Sequence, residues 1–120
     1  MVFRLLIFLS AAFLAFTSQA AELIMVDQDG CVYCEQWEEE IGPIYPKTAE
    51  SAVAPLRHID IYDQELDQLE LARDVHFTPT FILVDDGREL ARIEGYPGED
   101  FFWGLLGMML EKHTAFEGES

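Results

Sequence analysis

The spacing of hydrophobic positions along the chain changes several times, and each change marks an element. Leu23-Ile24-Met25-Val26 is an uninterrupted apolar run of strand length, closed by the turn sequence Asp27-Gln28-Asp29-Gly30. Residues 35–41 read as a helix, with three consecutive acids at Glu38, Glu39 and Glu40, interrupted by Gly42-Pro43 and Tyr45-Pro46. A second helical stretch is expected over 47–53, and Ala54-Pro55 opens a second strand over 56–61. In 64–75, Leu66, Leu69 and Ala72 recur every three residues with Leu71 and Val75 beside them, which predicts a helix. Thr80 to Val84 is a β-branched and aromatic strand, Asp86-Gly87 a hairpin dipeptide, and 89–94 alternates as the returning strand. After Gly95-Tyr96-Pro97-Gly98 a last helix runs over 99–113, and 116–120 is expected to be a flexible tail.

The order is thus strand, helix, strand, helix, strand, strand, helix. Strands alternating with helices imply parallel pairs joined by crossover helices, and the hairpin adds one antiparallel edge. The expected architecture is a single α/β domain, β-α-β-α-β-β-α, with a four-stranded mixed sheet.

The first twenty of the 120 residues belong to none of this. Arg4 precedes an apolar stretch over 5–16, and Ser18-Gln19-Ala20 supplies small residues where a signal peptidase reads them. This is the pattern of a cleaved secretory signal over 1–20. A retained anchor is the competing reading, but the run falls short of the roughly 20 apolar residues that a spanning helix needs. Residues 21–115 remain as the folded domain, enough for one core.

Charge narrows the partners. Seven Lys and Arg against 23 Asp and Glu give a net charge of −16, and losing Arg4 with the signal leaves −17. Such a surface repels phosphate backbones and anionic headgroups, so no nucleic acid and no membrane surface is expected as a partner.

The chemistry lies in Cys31-Val32-Tyr33-Cys34. A bridge between cysteines three residues apart closes too small a loop to stabilise an exported domain. At the start of a helix, however, unpaired amides and the dipole favour a thiolate. Cys31 is the expected nucleophile and Cys34 the resolving thiol. Thr78-Pro79 opens the third strand, and the expected topology sets that entrance beside the end of the first strand. Haem attachment is excluded, because Glu35 rather than His follows Cys34. Neither a resident metal nor any other cofactor is expected: with no second cysteine pair, a zinc site would have only His58, His76 and His113 to complete it.

Taken together, these residues resemble the thioredoxin superfamily across the whole of the expected domain. The resemblance implies a thioredoxin-like fold, a cis peptide before Pro79, and a Thr78 backbone that pairs with an extended client segment. Tyr33 before the second cysteine is similar to glutaredoxins and periplasmic disulfide isomerases. Where thioredoxin carries a buried acid six residues before its first cysteine, this chain has Met25, and the additional N-terminal strand and helix are missing. Gly42-Pro43-Ile44-Tyr45-Pro46, Ala54-Pro55-Leu56-Arg57 and Gly95-Tyr96-Pro97-Gly98 with Phe101-Phe102-Trp103 resemble more narrowly the SoxS-like periplasmic thioredoxins of bacterial sulfur oxidation. That likeness implies an exported thiol–disulfide oxidoreductase. It would act as a reductase on a client protein with a disulfide or modified cysteine, such as a sulfur-carrier protein, recharged by a membrane thiol transporter. Copper delivery on the same fold, disulfide isomerisation or oxidation, and a non-catalytic adaptor are the alternatives.

Every singled-out residue also has an ordinary reading. Tyr33 fits an exposed rim as well as a client contact, and Trp37 is expected in the core. Asp27, Asp29, Glu35 and Glu38 are expected around the cysteines, opposing the helix dipole, or simply as a solvated turn. His58 and His76 are read as packing or surface residues. The last helix carries more apolar residues than one face needs, from Phe101 to Leu110, so part of it is either deeper in the core than usual or a docking patch.

Overall fold

A computed structural model describes residues 21–118. The expected signal over 1–20 lies outside the described residues, as do the last two positions of the expected tail. Four strands, β1 (Glu22–Asp27), β2 (Leu56–Asp60), β3 (Thr80–Asp85) and β4 (Arg88–Glu94), form one mixed sheet in the order β2-β1-β3-β4. Three helices accompany it: α1 (Val32–Glu40), α2 (Ala49–Val53) and α3 (Glu99–His113). This is the thioredoxin-like α/β fold in one domain.

The continuous apolar run of β1 follows from its central place. Leu23, Ile24, Met25 and Val26 are all fully buried, because both faces of the sheet are covered. On one face Leu23, Met25, Phe81, Leu83 and Ile93 pack against Trp37 and Ile41 from the first helical region and Phe102, Leu106 and Leu110 from α3. Trp37 is the hub there. Its ring centroid lies 5.3 Å from that of Phe81 and 5.7 Å from that of Phe102, and the latter two are 4.9 Å apart, edge to face. Tyr45 closes the side, its hydroxyl donating to the Ala54 carbonyl at 2.6 Å. Phe116, placed in the tail by sequence, is partly buried against this core.

Two expectations are corrected. The first is the helix over 64–75: only a 3₁₀ turn, Gln64–Gln68, forms, and the chain then runs irregularly to Pro79. Leu66, Leu69, Leu71 and Val75 do cover the second face, over Ile24, Val26, Ile59, Ile82 and Val84. What the periodicity missed is where the backbone groups go. Glu70 donates its N–H to the Gly87 carbonyl and accepts from the Glu89 N–H, at 2.8 and 2.9 Å. The Glu89 carboxylate accepts from the Ala72 N–H, and Arg92 donates to the Arg73 and Asp74 carbonyls. A helix would consume those groups internally.

The second correction concerns direction. β1 and β2 are parallel, but β1 and β3 are antiparallel, as are β3 and β4. The segment after β2 runs down to the hairpin, where Glu70 meets Arg88, and returns to the end it left. An excursion there and back needs no crossover helix, and it delivers β3 antiparallel.

Two outcomes are expected from this packing. Trp37→Ala loses about 3 to 5 kcal/mol of unfolding free energy in a denaturant titration. Trp37→Phe loses clearly less, since it keeps the ring contacts and removes an indole N–H that has no partner among the described residues. The Glu89–Arg92 pair, with both side chains 4% exposed, behaves as a buried ion pair. Hydrogen bonding to Arg92 holds the Glu89 carboxyl below its ordinary range. Its contribution is therefore full above the usual glutamate range and is lost as pH falls through the depressed value. Arg92→Ala costs about 3 kcal/mol near neutrality and flattens the acid limb of stability against pH, which thermal melts at several pH values measure.

Candidate active site

The turn after β1 is closed by Gly30 at φ 77°, a left-handed conformation that costs glycine little. It delivers Cys31 to the N-cap of α1, with Cys34 one turn in. The Cys31 sulfur accepts the Cys34 backbone N–H at 3.1 Å, as a capping side chain does, and the two cysteines form a disulfide with Cα atoms 5.2 Å apart. Cys31 is 8% and Cys34 6% exposed, so exposure barely separates them. Position does: Cys31 sits at the helix end, where the amide and the dipole favour negative charge on its sulfur.

β1 and β3 pair with Val26 opposite Thr80, which brings the entrance of β3 alongside the turn that leads to Cys31. The Thr78–Pro79 peptide is cis and Pro79 is buried. Gln28 ties the two segments directly, donating from Nε2 to the Thr78 hydroxyl at 2.9 Å across 50 positions of sequence. Pro79 accepts from the Gly95 N–H at 2.7 Å, and the Thr80 hydroxyl donates to the Phe77 carbonyl at 2.7 Å. Val32, Tyr33 and Phe77 are exposed large hydrophobic residues of these two segments.

An acidic cleft of about 450 Å³ includes both cysteines among its walls, together with Asp27, Asp29, Glu35, Glu38, Glu39 and Asp60. These carboxylates oppose the helix dipole by raising the cost of a thiolate. His58 faces two of them, with Nδ1 2.8 Å from Asp27 and Nε2 3.3 Å from Glu38. The same three side chains bring ligand atoms within 4.8 Å of one another, the spacing a metal ion would use. Met25, at the position of the missing acid, is fully buried in the apolar core.

The residues singled out by sequence thus come together at one end of the sheet: Cys31, Tyr33 and Cys34 on the α1 side, and Thr78 and Pro79 on the β3 side. Sequence alone does not single out Gln28, and it reads His58 as a packing or surface residue, which agrees with the exposed position of His58 on β2. Gln28 reads only as part of a turn, and nothing in linear spacing pairs it with Thr78. His58 has a faint signal, since alternation along β2 puts it on one face with Leu56 and Asp60. Its carboxylate partners on β1 and α1 follow from the tertiary fold. Gln28→Ala is expected to cost about 1 kcal/mol, from one part-buried hydrogen bond, read as a shift in the urea midpoint at unchanged slope.

A family model described as the thioredoxin-like domain matches residues 15–109 of the chain. Among solved structures, the reduced periplasmic thioredoxin SoxS from Paracoccus pantotrophus is 47% identical, with a TM-score of 0.73 over 77% of this chain and 97% of that one. Trxlp from Edwardsiella tarda EIB202 matches at 24% identity and TM-score 0.58, covering 74% of this chain and 84% of the other. The Malassezia sympodialis thioredoxin matches at 17% and 0.55, covering 82% and 78%. These last two similarities speak to the fold alone. No curated protein sequence matches the chain.

Proposed function

The chain belongs to the thioredoxin-like family and is a thiol–disulfide oxidoreductase of that fold, and from this premise we propose that it is an exported reductase whose working pair is Cys31 and Cys34. The observation that carries the reading is Cys31 at the α1 N-cap, its sulfur already accepting an amide N–H and bonded to Cys34. In the reduced protein the Cys31 thiolate attacks a sulfur of the client disulfide, forming a mixed disulfide and expelling the other client sulfur as thiolate. Cys34, once deprotonated, attacks the Cys31 sulfur, closes the internal disulfide and releases the second client thiol. Two electrons have passed from the dithiol to the client, and a dithiol donor returns them.

Thr78, Pro79 and Tyr33 make up the client-binding side in this reading. Among the described residues, neither the N–H nor the C=O of Thr78 has a hydrogen-bond partner, which leaves both for an extended client strand. Residues 1–20 serve as the export signal, and the periplasm is the compartment, in keeping with the 47% identity to a protein described as a periplasmic thioredoxin. The client class is a protein with a disulfide or modified cysteine, a sulfur-oxidation carrier protein being the favoured example. A membrane thiol transporter is the donor class, because that compartment is kept oxidising.

Cys31→Ser is expected to abolish dithiol-dependent reduction of protein disulfides, whereas Cys34→Ser accumulates the mixed disulfide, seen by non-reducing electrophoresis and mass spectrometry. Full turnover of Cys34→Ser without adducts would overturn the two-cysteine mechanism. Equilibration with glutathione buffers gives the direction. A potential of about −270 mV supports the reductase, and one of about −120 mV makes the protein a disulfide donor instead.

A further inference from the structure

Among the described residues a single hydrogen bond holds Thr78, and it comes from Gln28. The β1–β3 register explains the pair. It sets Val26 opposite Thr80, so two further steps along each chain set Gln28 opposite Thr78. By then the ladder has ended: β1 stops at Asp27, β3 starts at Thr80, and Pro79, which precedes β3, has no N–H to donate. The bond is between side chains, from Gln28 Nε2 to the Thr78 hydroxyl at 2.9 Å, so it fixes Thr78 without using its main-chain N–H or C=O. The neighbouring bonds do not replace it. The Thr80 hydroxyl ties down the Phe77 carbonyl and the Gly95 N–H ties down the Pro79 carbonyl, which leaves the residue between them to Gln28.

Gln28 also reaches the redox pair. Its carbonyl accepts the Cys31 N–H at 3.4 Å across the turn, and the residue borders the cleft that both cysteines line. One half-buried residue thus joins the two groups a client must meet together, the Cys31 sulfur and the Thr78 main chain. Backbone pairing gains affinity when the receiving groups are oriented beforehand, because ordering them on binding costs free energy. Resting on the role proposed above for the Thr78 backbone, we infer that Gln28 is a positioning residue for protein clients. Through the Thr78 hydroxyl it presents the Thr78 main chain to an extended client segment, and it takes no part in the exchange of sulfur bonds.

The test compares a protein disulfide with one that has no peptide backbone. The reduced full chain is mixed with insulin or with bis(2-hydroxyethyl) disulfide, and its oxidation is followed by acid quench and thiol alkylation. Gln28→Ala lowers the second-order rate constant for insulin about fivefold, the worth of one part-buried hydrogen bond. The rate constant for the small disulfide and the potential in glutathione buffers stay unchanged, whereas a loosened turn that displaced Cys31 would move both. Thr78→Val removes the same bond from the other side and keeps the main chain, so it slows insulin to the same extent, and the double variant is no slower than either single one. Insulin rates unchanged in both variants overturn the inference. Equal loss on the two disulfides, a shifted potential, or losses that add in the double variant also overturn it. Failure of the underlying client reading shows separately, in the wild-type chain: it then reduces insulin no faster than the small disulfide, and the inference falls with it.

Discussion

The antiparallel pairing of β1 with β3 is the constraint on which the rest of this protein depends. These are the two central strands, and their facing residues alternate between the two cores. A slip of one residue would turn Met25 and Phe81 away from Trp37 and present them to the opposite layer. The same register sets Val26 opposite Thr80, and so brings the turn before Cys31 alongside Thr78 and Pro79. Core and site are therefore specified by one set of hydrogen bonds. The bond from Gln28 to Thr78 extends that pairing one step past the end of the strands.

Around the cysteines, two electrostatic influences act in opposite senses. The α1 N-terminus and the Cys34 amide favour a thiolate on Cys31, while six carboxylates line the adjoining cleft and disfavour it. His58 lies between two of these carboxylates, Asp27 and Glu38. The molecule handles charge differently at the far side of the sheet. There the Glu89–Arg92 pair is nearly sealed from solvent and hydrogen-bonded to the backbone of 72–74. A buried pair of this kind is weak evidence for added stability, yet removing either partner strands the other. Its structural consequence is that the segment over the second core takes an irregular path in place of a helix.

Much of the fold was legible because local signals agreed with the final environment. β1 read as a buried strand from four consecutive apolar residues, α3 from its start after Gly95-Tyr96-Pro97-Gly98, and the hairpin from Asp86-Gly87. The redox pair was legible for the same reason, since a helix N-cap is a local feature and Cys31 occupies it. Residues 64–75 misled because Leu66, Leu69, Leu71 and Val75 are buried on one side, as a helix would bury them. Periodicity reports which side chains meet a core; it says nothing about which partners satisfy the backbone. Glu70, Ala72 and the Arg73 and Asp74 carbonyls found theirs on β4 and its side chains, contacts distant in sequence.

What the sequence determined alone is therefore what depends on neighbours within a few residues: the strands, the capped helices, the hairpin, and two cysteines set where a thiolate is favoured. The tertiary structure decided the direction of β3, the course of the chain after β2, the union of Gln28 with Thr78, and the placement of His58 between two carboxylates. It also decided that Phe101, Leu105 and Met108 face outward, although their hydrophobicity matches that of Phe102, Leu106 and Leu110. The physical reason is common to all of these. Hydrogen-bond partners and burial are properties of surfaces that form only when distant segments meet, and a linear pattern holds no record of which surface arrives.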